Sequence, residues 1–150
     1  MIDSYEIGIG RFSIVPGFYN WDAARQDALS KGGDLATFSN LLEWQSAIKS
    51  IGGLDALEKF SGIWIGATDR GEEGQWEWVT GQKLTINNWA EGEPDNFLDA
   101  DAAEIGGGIS AAPGFIFDSP SAFTRAGYLL ETGFSSNPLE PDSDRDGFTD

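Results

Sequence analysis

The chain has 150 residues, 40 % of them hydrophobic, with six Trp and ten Phe, which is enough for one domain with an aromatic core. Its 25 acidic residues against 9 basic ones give a net charge of -16, which repels nucleic-acid phosphates and anionic membrane surfaces and leaves cations, neutral ligands and basic partners. Without Cys or His, thiol catalysis, His-based triads and zinc sites of Cys and His are excluded, and the chemistry that remains is mostly that of oxygen.

Residues 5 to 19, "YEIGIGRFSIVPGFY", alternate apolar residues with Gly and Pro and predict one or two short strands. "NWDAARQDALSKGG" predicts a helix: Asn20 caps it, Asp22 suits its first turn, Trp21, Ala24, Ala28 and Leu29 share a face, and Gly32 and Gly33 stop it. "FSNLLEWQSAIKSIGG" repeats the logic, with Asn40 and Glu43 at capping-box spacing and Leu41, Trp44, Ile48 and Ile51 as the stripe that ends at Gly52.

"GIWIGATD" then reads as a buried strand and "GQWEWVTG" as another, with Trp76 and Trp78 on one face by period two. From Leu84 to Phe115 periodicity fades and Gly, Pro, Asn and Asp dominate, predicting a loop of about thirty residues with at most short strands inside. Strands resume at "GFIFD" and "AGYLLET", and "SSNPLEPDSDRDGFTD" shifts to Pro, Ser and Asp. The expected division is a domain over 1–133 and an acidic appendage over 134–150. No apolar run approaches the roughly 18 to 20 residues of a membrane span, so membrane insertion is not expected.

The acid-rich stretch "NNWAEGEPDNFLDADAAE" in the long loop is open to three readings on its composition: a solvated surface, a catalytic carboxylate pair, or an oxygen cage for a hard cation. Crowded acids in a loop serve as surface or metal ligands far more often than as catalysts, so no enzyme is expected.

The order of landmarks resembles a C-type lectin-like domain over residues 5 to 133. The matching pieces are "WDAARQDALSKGGDLATFSNLLEW", "WIGATD", "EGQWEWVTG", "NNWAEGEPDN" and "AGYLLE", in register. The resemblance implies an α+β fold with two helices, small antiparallel sheets and a long ligand loop. It also places Ala28 and Leu130, and Ala103 and Ser121, where the family has two disulfides that this chain lacks. Losing each cross-link costs about 2 to 4 kcal/mol, so Trp and Phe packing, or that packing together with bound calcium, has to compensate. Trp64, Trp76, Trp78 and Trp89 fall on motifs that the family buries, and Glu43 and Glu131 on positions where members hold a structural cation or a salt bridge, with capping the favoured role for Glu43.

In sugar-binding members a triplet in the long loop holds its Pro cis so that both flanking oxygens face one calcium ion. The corresponding triplet is Glu93-Pro94-Asp95. The resemblance carries Glu93, Asp95, Asp101 and Asp118 over as calcium ligands and adds Asn96 to the ligand-binding set. The family's Trp-Asn-Asp triplet reads Ile116-Phe117-Asp118, so Phe117 replaces an Asn that ligates both ion and sugar, with Asp99 or Asn96 available to fill the gap. The implied function is calcium-dependent binding of carbohydrate; the alternative is a module that binds a surface protein, or is structural, without sugar recognition.

In the tail, "DSDRDGFTD" sets Asp142, Asp144, Asp146 and Asp150 at positions 1, 3, 5 and 9 of an EF-hand-type calcium loop, with Gly147 at the turn; position 12 is not supplied, so weak binding and a disordered acidic tail are expected of this stretch. "NPLEPDSDRDGFTD" also resembles the start of a thrombospondin type 3 repeat. Such repeats come in arrays, so the expected setting is a longer secreted or surface-attached bacterial protein.

Overall fold

The computed structural model describes residues 11–58, 60–96, 98–106 and 113–133. The tail carrying Asp142, Asp144, Asp146 and Asp150, and the repeat it resembles, lie outside the described residues. In chain order the elements are β1 (Arg11–Tyr19), α1 (Trp21–Ser30), β2 (Asp34–Leu35), α2 (Leu41–Ser50), a 3₁₀ turn (Leu54–Leu57), β3 (Gly62–Thr68), β4 (Glu77–Trp78), β5 (Ala102–Gly106), β6 (Ile116–Ser119) and β7 (Arg125–Thr132).

Both helices begin where the caps predict. The Asn20 side chain accepts the Ala23 N–H at 2.8 Å and the Asn40 side chain the Glu43 N–H at 2.9 Å, each answering one of the unpaired donors of a first helical turn. Glu43 completes a variant of the capping box, reaching back past the cap to the Ser39 N–H at 2.7 Å. After α1, Gly33 lies so close to the Glu131 carbonyl of β7 that a Cβ there would clash.

The strands form one connected sheet in the order β1-β7-β3-β5-β6, with β2 on β7 and β4 on β3. Every pairing is antiparallel except β3 with β7, which meet in parallel at Trp64 and Tyr128, so the small sheets expected from the sequence are joined across that contact. Alternation divides the sheet between two cores. Ile63, Ile65, Ala103, Ile105, Ile116 and Leu129 face the larger core, with Phe38, Trp76, Trp78, and Ala47 and Ile48 of α2. Trp64, Ala102, Tyr128 and Leu130 face the smaller one, with Trp21, Ala24 and Ala28 of α1. A sheet covered on both faces needs apolar side chains at successive positions, which explains why "GIWIGA" and "GYLLE" read as unbroken runs.

Aromatic packing takes over where the resemblance implied disulfides. Ala28 and Leu130 sit in the same buried cluster, between Trp21 and Tyr128, and Tyr19 meets Tyr128 edge-on at 5.4 Å. Trp21 Nε1 donates to the Ile65 carbonyl and Trp64 Nε1 to the Tyr19 carbonyl, both at 2.8 Å, tying α1 and β1 to the central strand. At the second position Ala103 is in the larger core, while Ser121 is held by Asp101, its N–H and Oγ donating at 2.8 and 3.0 Å. Two expectations on the helix faces are corrected: Leu29 and Leu41 are 45 % and 43 % exposed, because each helix buries a narrower stripe than its periodicity suggested.

Candidate functional site

The acid-rich loop is clamped to the edge strand β6 at its base. The Ile116 N–H donates to the Asn88 carbonyl at 3.0 Å, and the Ala90 N–H to the Ile116 carbonyl at 2.9 Å. Trp89, between them, packs edge-on against Trp76 at 5.1 Å, so the loop leaves the sheet from an apolar footing. The Glu93 N–H turns back to the Ala90 carbonyl at 2.9 Å, and the Glu93–Pro94 peptide is cis, as the resemblance implies.

Asp118 organises the loop beyond that peptide. Its Oδ1 accepts the Asp95 N–H at 3.0 Å and its Oδ2 the Asn96 N–H at 2.7 Å, so a side chain of β6 fixes the loop backbone just past the Pro. Glu93, Asp95 and Asp118 each then offer a carboxylate oxygen within 4.8 Å of the others. Burial, followed by the neighbouring Asp118 and Asp95, pushes the Glu93 carboxyl up to about 8. Burial works in the same direction on Asp118 but is outweighed by its hydrogen bonds with Glu93 and the Asp95 and Asn96 N–H groups, so its carboxyl is lowered. The crowding thus drives the two carboxyls apart, Glu93 upward and Asp118 downward.

A second acidic pair, which reasoning from sequence missed, flanks this group. Asp69, at the end of β3, is 3 % exposed; its Oδ2 accepts the Gly74 N–H at 2.9 Å, and its buried Oδ1 has no hydrogen-bond donor among the described residues. Glu73 lies beside Asp69, and its carboxyl is raised by that contact first, then by burial and by the charges of Asp69, Asp99 and Asp118. The signal was present in "TDRGEEG", two acids four residues apart directly after a buried strand.

Asn96, with φ 56°, brings its backbone to Asp118 but turns its amide away. Oriented so that its nitrogen donates, that amide reaches Glu73 at 3.1 Å and the Ala100 carbonyl at 3.2 Å, linking the two acidic groups. Asp101 is not brought to the group with Glu93, Asp95 and Asp118. Its carboxylate is taken by Ser121 and, at 3.3 Å, by Arg70 Nε, because the start of β5 sets it beside the turn into β7. Arg70 also grips Asp22 of α1 at 2.8 and 2.9 Å and stacks on Trp21 at 4.8 Å, so its charge is spent away from the loop. Phe117 points to the opposite face of β6 from Asp118, across from Glu104.

At the other end of the sheet, Glu131 Oε1 accepts the Thr37 N–H and Oγ1 at 3.1 and 3.4 Å. Burial, with the charges of Glu43 and Asp34, pushes its carboxyl up to about 7. Glu43 itself is engaged in capping α2.

A test of whether calcium suits the loop rests on donor chemistry. Glu93, Asp95, Asp118 and the donorless Asp69 Oδ1 are hard oxygens of the kind that ion prefers, while the ion pairs among the described residues go to Asp22, Asp27, Asp34, Asp101 and Glu104 instead. The residues present fit the ion, with carbonyls and water needed to complete about six to eight ligands.

The family model of the lectin C-type domain matches residues 18–111. A galactose-specific lectin, nattectin of Thalassophryne nattereri, is 33 % identical over 94 residues, covering 60 % of this chain and 55 % of its own. The chain spans about half the length of the curated relatives it matches. Among solved structures, the carbohydrate-recognition domain of the mouse scavenger receptor C-type lectin superposes with a TM-score of 0.66 at 23 % identity, covering 85 % of this chain and 91 % of that one. A calcium-independent type II antifreeze protein also gives 0.66, at 19 % identity over 83 % and 86 %.

Proposed function

The chain belongs to the C-type lectin domain family, and from that premise we propose that it is an extracellular module that recognises carbohydrate with calcium held in its long loop. The observation that carries this reading is the convergence of Glu93, Asp95 and Asp118, drawn from the loop and from β6, to within 4.8 Å. Three carboxylates gathered this closely, with Asp118 fixed by the Asp95 and Asn96 N–H groups, repel one another without a counter-ion. Glu93, Asp95 and Asp118 hold the ion, with Asp69, Glu73 and Asp99 contributing negative charge beside it. When bound, calcium supplies a centre that takes up hydroxyl oxygens of a glycan. The chain's own residues set the loop backbone through Asp118 and the outward face of the loop through Asn96. Binding rather than catalysis is the role, and the partners are glycans displayed outside the cell.

The alternative, a protein-interaction or structural module without sugar recognition, is favoured by one observation: Asp101, expected at the ion, is held by Ser121 and Arg70 instead. Thermal melting in calcium and in chelator, followed by a glycan array in both conditions, separates the readings. Calcium must raise the melting temperature, since a ligand of the native state stabilises it; a chain indifferent to calcium refutes the cage. Stabilisation by calcium without any glycan signal selects the alternative, and Glu93→Ala assigns the stabilising ion to the loop if it removes the shift.

A further inference from the structure

The face of the sheet opposite the acidic loop carries a separate concavity of about 220 Å³, lined by Ser61, Glu104, Gly106 and Phe117. We propose that this pocket is a second binding site, independent of calcium, for a single six-membered ring bearing hydroxyl groups, such as one pyranose.

Gly62 and Gly106 are direct cross-strand partners on β3 and β5, so neither puts a side chain on this face, and Gly106 lines the pocket. A strand glycine at such a position admits close approach of another group. Any side chain at Gly62 would collide with Glu104 Oε1, so the carboxylate lies over that glycine and lines the floor. Phe117, the antiparallel partner of Glu104 on β6, supplies an aromatic wall. Adjacent residues of a strand face opposite ways, so Phe117 belongs to this face while Ile116 packs in the larger core and Asp118 serves the loop.

The electrostatics select a neutral ligand with donors over a cation. Glu104 is 8 % exposed, and both its oxygens are engaged by Arg125 Nε, at 3.0 and 2.9 Å, so its charge is already answered. Arg125 is fixed in turn: Nη1 donates to the Thr124 carbonyl, Nη2 donates to Ser119 Oγ, and the guanidinium lies 5.6 Å from the Trp64 ring and 5.7 Å from the Phe123 ring. Glu104 is therefore a rigid acceptor. A carboxylate has about four lone-pair positions, and Arg125 with Ser119 uses only part of them. A sugar ring meets this geometry by laying C–H groups on Phe117 and donating a hydroxyl to Glu104. The volume is below the roughly 300–1,000 Å³ of pockets for drug-sized ligands, consistent with one ring.

The test is nuclear magnetic resonance on the full ¹⁵N-labelled chain, titrated in excess chelator with the methyl glycosides of glucose, galactose, mannose and N-acetylglucosamine. At least one should shift the amides of Ser61, Gly106 and Phe117 saturably. Phe117→Ala should weaken that binding about tenfold. Ser61→Trp, at an exposed position where folding is not at stake, should abolish it by filling the mouth. No shift at these amides with any glycoside in chelator overturns the proposal, as does binding that survives Ser61→Trp. Glycoside shifts confined to the loop and seen only in calcium also overturn it, while leaving the loop reading in place.

Discussion

Asp118→Asn probes the residue around which the loop is built. The substitution preserves shape but turns one of two acceptors, facing the Asp95 and Asn96 N–H groups at 3.0 and 2.7 Å, into a donor. The Asp118 carboxyl is lowered despite its burial, so the attractive contacts outweigh repulsion from its neighbours and the charged form stabilises the ion-free fold. One lost charge-assisted hydrogen bond costs about 1.5–3 kcal/mol. For a domain of this size each kcal/mol moves Tm by roughly 3–5 °C, so in chelator the variant should melt about 5–15 °C below the wild type. A lowered carboxyl contributes stability above its unfolded pKa and loses it as pH falls, so the gap should close in acid. Calcium at a hundred times its Kd adds about 2.7 kcal/mol to the wild type and nothing to the variant, widening the gap. Scanning calorimetry in chelator and in calcium reads both effects. Equal melting in chelator, or an equal calcium shift in both proteins, would refute the reasoning.

Glu131 makes the opposite pH prediction: its carboxyl is raised from 4.5 to about 7, so its contribution is fully present below about 4.5 and is lost as pH rises through 7. Urea melts should show stability falling between those limits by up to roughly 3 kcal/mol, and Glu131→Gln should flatten the profile. Arg125→Leu strands the Glu104 carboxylate, 8 % exposed, and should cost about 3–5 kcal/mol in denaturant melts. Glu104→Leu with Arg125→Leu should recover part of that loss. Asp101→Asn should weaken the tie to Arg70 and Ser121, at a cost of about 1–2 kcal/mol, yet leave calcium affinity by titration calorimetry unchanged. A large loss of affinity would return Asp101 to the ion.

Local pattern was enough for the elements that pattern controls. Asn20 and Asn40 announce their helices because a cap acts on N–H groups only two or three residues away. The runs in β3 and β7 are legible because a strand covered on both faces has no polar positions to break it. β5 was the hard element: "AAEIG" joins weak strand formers to a glutamate, and it is buried throughout only because Arg125, twenty-one residues on, answers that charge.

The candidate site divides in the same way. Sequence pattern placed the triplet Glu93-Pro94-Asp95 in a loop, and the resemblance to C-type lectin-like domains implied its cis Pro and paired Asp118 with it. Whether a given carboxylate reaches that group depends on contacts that leave no trace in neighbouring residues. Asp101 is drawn off by Ser121 and Arg70, while Asp69 and Glu73, far back in the chain, are brought up beside the loop by the end of β3. Phe117 shows the physical reason most plainly. The sequence by itself determined that it sits next to Asp118; only the register of β6 on β5 decided that it faces Glu104 across the sheet, since alternation assigns a face once the partner strand and the covering layers are known.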